Sequence, residues 1–184
     1  NSGSVGPLND KQKSYTDYIR ASSVTLGVLI DNILDLATVD AGVAELQLEL
    51  QDVPALIEKA RAGLAATFPG VAGEKPLDFK IVIPEELPPL LADGTRIVQV
   101  LYNLLSTAAR FSEPGAPITL TVLERGGRML FSIEDEGAQM NAEMRAALNA
   151  ETDAAPGRQR GAGLGLAIVR SFVSMHGGTI SVER

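Results

Sequence analysis

Asp93-Gly94-Thr95-Arg96-Ile97-Val98-Gln99-Val100-Leu101-Tyr102-Asn103-Leu104-Leu105-Ser106-Thr107-Ala108-Ala109-Arg110-Phe111-Ser112 is the stretch on which the reading of this chain turns. It predicts a helix from Gly94 to Phe111, entered from a short apolar strand, Leu90-Leu91-Ala92. On that helix Asn103 and Thr107 stand one turn apart and share a face. Downstream, Pro114-Gly115 marks a turn. Ile118 to Glu124 and Met129 to Glu134 then read as two strands joined by the hairpin signal Arg125-Gly126-Gly127-Arg128.

Working upstream, residues from Asn9 or Asp10 to about Val39 have helical periodicity. Tyr15, Ile19, Ser22, Leu26, Leu29, Ile33 and Leu36 form one seam that a lone helix cannot bury, so a partner helix is expected. Asp40-Ala41-Gly42 breaks this helix. Glu45 to Leu50 alternates polar and apolar, which predicts a half-buried strand, and Val53 to Phe68 reads as an amphipathic helix with Pro54 in its first turn. Pro69 to Pro76 is a loop and Leu77 to Ile83 a strand. Toward the end come a helix near Ala142 to Leu148, a polar loop at 150–160 and a helix from Leu164 to Met175. His176-Gly177-Gly178 ends that helix, and Thr179 to Arg184 reads as a strand. The expected fold class is α+β, a two-layer sandwich.

Composition sets limits. The 184 residues suffice for one sizeable domain with a helical appendage, and an aromatic content of 4% leaves a core of Leu, Ile, Val and Ala. A net charge of −7 argues against a nucleic-acid binder. The absence of cysteine excludes disulfides and Cys-based zinc sites. No run of apolar residues is long enough to span a bilayer. Both ends read as cut, so a fragment of a longer protein is expected.

Three features invite chemistry. Gly161, Gly163 and Gly165 are spaced so that backbone N–H groups can approach a phosphate, with the positive end of the following helix aimed there. Taken alone, such a loop is often only a helix entry; the missing Lys-Ser/Thr excludes a Walker loop, and the absence of a following βαβ unit speaks against a dinucleotide fingerprint. Asp135 ends an apolar strand and alone would suggest an Asx turn. His176, the only histidine, fits a helix C-terminus capped by glycine better than a reactive group. Asp31 and Asp35 read as part of a polar helix face rather than a catalytic pair.

Taken in order, Asn103 to Thr107, Asp135-Glu136-Gly137 and Gly161-Ala162-Gly163-Leu164-Gly165-Leu166 resemble the N, G1 and G2 boxes of bacterial sensor histidine kinases. Their ATP-binding domain shares the GHKL (Bergerat-type) fold with gyrase, Hsp90 and MutL. The resemblance continues into Pro7 to Ala37, which is similar to the second helix of the kinase dimerisation hairpin, with a DivL-type alphaproteobacterial character in the segment ending Thr38-Val39-Asp40-Ala41-Gly42. It implies residues 1–40 as that helix only and 41–184 as the ATP-binding domain, cut short at its C-terminus. The phosphoacceptor, His or Tyr, would lie upstream of Asn1, so no catalytic residue is expected within the chain.

The resemblance also implies a site. Asn103 and the position of Thr107 would serve the Mg²⁺ that bridges the ATP phosphates, Asp135 would take the adenine amino group, and Gly137 would shape the base pocket. Arg110 occupies a basic position that contacts a phosphate, Arg158 and Arg160 precede the glycine loop, and Gly161, Gly163, Leu164 and Gly165 would face the phosphates. Three departures stand out. Thr107 replaces an asparagine, Gln139 replaces a glycine, and Met144 to Ala150 lacks the phenylalanine of the F box.

A degenerate kinase core, a pseudokinase, is therefore expected, binding ATP weakly and Mg²⁺ doubtfully and acting through a response regulator or partner kinase. The alternative is an active ATP-dependent kinase in a phosphorelay. A gyrase- or MutL-like ATPase is disfavoured, because Asn103 stands where those enzymes carry a general-base Glu. Homodimerisation through the stem, a cytoplasmic location, and no nucleic-acid or membrane contact complete the expectations.

Overall fold

The computed structural model describes residues 6, 8–67, 78–112, 116–135 and 162–182. The elements are α1 (Asp10–Asp40), β1 (Glu49–Gln51), α2 (Val53–Thr67), β2 (Asp78–Val82), β3 (Leu90–Ala92), α3 (Gly94–Phe111), β4 (Pro117–Arg125), β5 (Arg128–Asp135) and α4 (Ala162–Met175). The loop expected at 69–76, the Pro114-Gly115 turn and the helix near 142–148 lie outside the described residues.

The α+β sandwich is present. Strand β2 pairs parallel with β4, and β4 pairs antiparallel with β5, giving the order β2-β4-β5; β1 and β3 form a separate antiparallel ribbon. On β4 the alternation sends Ile118, Leu120 and Val122 inward, where they meet Val53, Leu56, Ile57, Ala60 and Leu64 of α2 and Leu101, Leu105 and Ala108 of α3. A second cluster joins Val100 of α3 to Ile168, Val169 and Phe172 of α4, with Leu36 and Val39 of α1 packed against it.

Local chemistry explains the boundaries. Asn9 caps α1 in a reciprocal box: its side chain accepts from the Gln12 N–H, and its own N–H donates to Gln12 Oε1 at 3.0 Å. At the other end of α1, Gly42 takes φ +68° and Val43 and Ala44 both donate to the Thr38 carbonyl. Helix α4 ends in a Schellman turn: Gly178 N–H reaches the Val173 carbonyl, Gly177 N–H reaches that of Ser174, and Gly177 sits at φ +69°. We expect Gly177→Ala to cost roughly 1 kcal/mol in urea unfolding, the penalty of a Cβ in the left-handed region.

Three expectations need correction. Strand β1 is shorter than 45–50, and it is not half-buried, since Leu48 is exposed and Leu50 is 71% exposed. The physical reason lies opposite. Glu49 faces Ala92, the last residue of β3, and beyond it the chain turns into α3, so the Gln47 N–H donates instead to Asp93 Oδ2 at 3.1 Å. At the C-terminus, residues 179–182 pair with no strand among the described residues, though Ile180 and Val182 still alternate inward onto Leu166. Finally, α1 has two working faces. Tyr15, Ile19, Leu26 and Ile33 of the seam are exposed, whereas Leu36, placed in that seam by its spacing, packs instead toward α4.

Candidate functional site

Helix α3 carries the first part of the candidate site. Asp93 caps it, with Oδ1 accepting from the N–H groups of Thr95 and Arg96. The Asp93 N–H in turn donates to His176 Nε2 at 3.1 Å, while His176 Nδ1 lies 2.7 Å from the Phe172 carbonyl. These partners require the proton on Nδ1 and the lone pair on Nε2. The only histidine thus ties the end of α4 to the start of α3, as a structural residue. Its helix-end position was legible in the sequence; its role as acceptor for Asp93 was not, because the two residues are 83 positions apart.

Asn103 is 5% exposed, and its Nδ2 has no hydrogen-bond partner among the described residues. Its Oδ1 lies 2.9 Å from where a Cβ on Gly165 would stand, so the glycine is what makes room for the amide. The structure therefore brings together Asn103 and Gly165, two residues of different sequence motifs. Helix α4 begins at Ala162, earlier than expected, so Gly163, Leu164 and Gly165 lie within its first turn. The N–H groups of Gly163 and Leu164 have no acceptor inside the helix and form its positive end.

Thr107 shares the Asn103 face but is turned back on its own helix. Its Oγ1 donates to the Asn103 carbonyl at 2.7 Å, and Ser106 Oγ donates to the same oxygen at 3.1 Å. Arg110 is exposed in the last turn of α3. Asp135 ends β5, paired in register with Ile118, and is exposed. Gly137, Arg160 and Gly161 lie outside the described residues, as do Gln139 and Arg158.

The donor set can be tested against the groups that the resemblance implies. Among the described residues no cluster of three or more His, Cys, Asp or Glu side chains could hold a metal. What remains is one buried amide and one hydroxyl already engaged with backbone. Mg²⁺ is commonly held by few protein ligands plus substrate phosphates and water, so a nucleotide-borne ion fits Asn103, and Thr107 adds little. The positive end of α4 has the chemistry to take a phosphate.

A second polar cluster, not singled out from the sequence, joins α1 to α3. Arg96 Nη1 lies 2.6 Å from Asp35 Oδ1, and Gln99 Nε2 donates to Asp35 Oδ2 at 2.7 Å and to Asn32 Oδ1 at 3.2 Å. Asp35 is thus a docking residue and not part of a solvated polar face; Asp31 is exposed, as expected. Beside this cluster a cleft of about 610 Å³ opens between α1, α2 and α3, lined by Val28, Asp31, Lys59, Gly63 and Tyr102 among others. Among the described residues no helix is long and apolar enough to cross a membrane.

Comparison with known proteins identifies the arrangement. The family described as histidine kinase-, DNA gyrase B- and HSP90-like ATPase matches residues 92–184, just over half of the chain. The circadian input-output histidine kinase CikA of Synechococcus elongatus is 35% identical over 97% of this chain and 24% of its own length. The sensor protein DivL of Caulobacter vibrioides is 30% identical over 96% of this chain and 22% of its own length, so the DivL likeness is present beside a comparable one to CikA. The chain spans about a quarter of the length of these curated relatives. Among solved structures, full-length ShkA in complex with AMPPNP superposes with a TM-score of 0.66 at 30% identity, covering 94% of this chain and 35% of that one. The Acinetobacter baumannii histidine kinase AdeS, at 24% identity and a TM-score of 0.65 over 94% of this chain and 77% of its own, shares the fold. The chain belongs to the histidine kinase-, DNA gyrase B- and HSP90-like ATPases, as a sensor histidine kinase core of the two-component signalling type.

Proposed function

We propose that this chain is a kinase core with a weakened ATP and Mg²⁺ site, acting as a signalling module that binds a response regulator or a partner kinase. The observation that carries this reading is the Thr107 hydroxyl, held against the Asn103 carbonyl at 2.7 Å where the family carries a second, longer amide. In this reading residues 1–40 are the stem and residues 41–184 the nucleotide domain. Asn103 faces the phosphates and their ion; Asp135 and Gly137 hold the adenine. The first-turn N–H groups of Gly163 and Leu164, with Gly165 leaving room beside them and with Arg110, Arg160 and Gly161, hold the phosphates. Bound Mg²⁺ would neutralise charge on the phosphates. The exposed seam of α1, with Ile19 67% and Tyr18 68% exposed beside it, supports pairing with a further helix and homodimerisation through a helical bundle. This reading puts the chain in the cytoplasm, where ATP and response regulators are.

An active kinase is the second reading, favoured by one observation: Gly165 still leaves space for the Asn103 amide, so half of the ion site stands. Thr107→Asn separates the two. On the weakened-site reading it raises Mg²⁺-dependent ATP affinity by roughly 10–100-fold, the usual effect of restoring one metal-supporting group. Calorimetry of both proteins with and without Mg²⁺ is the test. An unchanged affinity, already Mg²⁺-dependent in the natural chain, would favour the active kinase.

A further inference from the structure

The tip of the β4–β5 hairpin departs from the acidic character of the chain. Arg125 and Arg128 stand directly opposite each other in the strand register, and both are exposed. Like charges placed in this way repel. Among the described residues neither arginine has an ion-pair partner. The neighbouring acid, Glu124, is engaged in the turn, its Oε1 accepting from the Gly127 N–H at 2.6 Å. Two residues back along each strand, and so on the same outward face, Leu123 and Leu130 form a cross-strand pair, 44% and 50% exposed.

The β1–β3 ribbon carries the complementary surface. Leu50 faces Leu91 across it, with Leu48 two residues away, and the three are 71%, 60% and 51% exposed. From Ala41 to Glu58 the chain holds the acids Glu45, Glu49, Asp52 and Glu58, all exposed, and no Lys or Arg. Ribbon and hairpin belong to separate sheets, and because both sets of leucines are exposed, neither covers the other within one molecule. We infer that a second copy of this chain is the occupant: the basic, leucine-bearing hairpin tip of one molecule docks on the acidic, leucine-bearing ribbon of another.

Complementarity of two kinds favours this occupant. Exposed leucines gathered in paired sets mark an interaction surface, whereas scattered ones need no explanation. Placing Arg125 and Arg128 against the glutamates turns two like-charged clusters into ion pairs, which fix register and orientation. A net charge of −7 disfavours approach to an anionic lipid surface, which the tip alone would suit. Five leucines and a few ion pairs make a small interface, below about 1,200 Å², so the contact is weak and transient. It joins unlike surfaces, one tip and one ribbon, and is therefore heterologous. It uses neither the exposed seam of α1 nor the nucleotide site, and so adds to pairing through the stem.

Charge reversal tests the contact. Sedimentation of the natural chain from micromolar to millimolar concentration should show association that weakens about tenfold from low to high salt, which apolar pairing through the stem would not do. Arg125→Glu with Arg128→Glu, and separately Glu45→Lys with Glu49→Lys, should each lower the association constant at least tenfold, because like charges then meet. All four residues are exposed, and urea unfolding of each variant checks that the fold is kept. An equimolar mixture of the two variants should recover the natural association, since a reversed tip then meets a reversed ribbon. Equal association in the natural chain, both variants and the mixture would overturn the contact and leave only the stem. A natural chain that stays monomeric would overturn it too. Binding of that monomer to phosphatidylserine vesicles, lost in Arg125→Glu with Arg128→Glu, would give the tip to a lipid surface instead.

Discussion

Phe172→Ala is expected to lower the unfolding free energy by roughly 3–5 kcal/mol, the range for truncating a buried aromatic. Phe172 is 1% exposed and packs with Val100, Ile168 and Val169, while Leu36 and Val39 of α1 close over the same cluster. Its ring also carries the Arg96 guanidinium at 4.7 Å, a contact worth about 0.5–2 kcal/mol depending on desolvation. The substitution therefore removes core packing and the platform of Arg96 together. Urea unfolding followed by circular dichroism would measure it. A loss below about 1 kcal/mol would mean the site collapses without a cavity, contrary to the packing described.

Gly165→Ala is expected to act on binding while sparing the fold. The added Cβ would meet Asn103 Oδ1 at 2.9 Å, Cγ at 3.4 Å and Cβ at 3.8 Å, so the amide must move. Inside α4 the change from Gly to Ala gains about 1 kcal/mol of helix propensity, which offsets part of the clash. Stability should stay within about 1 kcal/mol, while ATP affinity falls at least tenfold, because a displaced ligand-bearing group costs roughly 10–100-fold. Equal ATP affinity in both proteins would show that Asn103 does not face the nucleotide.

What the sequence made legible follows from how local each signal is. Helix α3 begins at Gly94 and ends at Phe111 as its periodicity predicts, because apolar spacing and the N-terminal cap act within a few residues. Strand β3 and the hairpin turn at Gly126-Gly127 were equally readable, the two glycines lying at φ +62° and +76°. The extent of β1 was not readable, since it depends on where β3 stops some forty residues later and on the Asp93 carboxylate that takes the next N–H. The second face of α1 was also hidden. Asp35 read as part of a polar helix face and Asn32 carried no signal of its own; only the fold brings Gln99 and Arg96 against them.

At the site, the resemblance gave Asn103 and Gly165 separate roles, and their close approach across α3 and α4 comes from the fold. The engagement of Thr107 with its own helix had a local signal, a threonine four residues beyond a carbonyl, which sequence alone leaves undecided against a ligand role.

The most direct test of the account is calorimetric titration of ATP into the natural chain with and without Mg²⁺. A weakened site predicts weak binding in both conditions, with affinities within about threefold of each other, because Thr107 supplies no second amide for the ion. Tightening of tenfold or more on adding Mg²⁺ would contradict it and identify a site that still holds its metal, at a gain of about 1.4 kcal/mol.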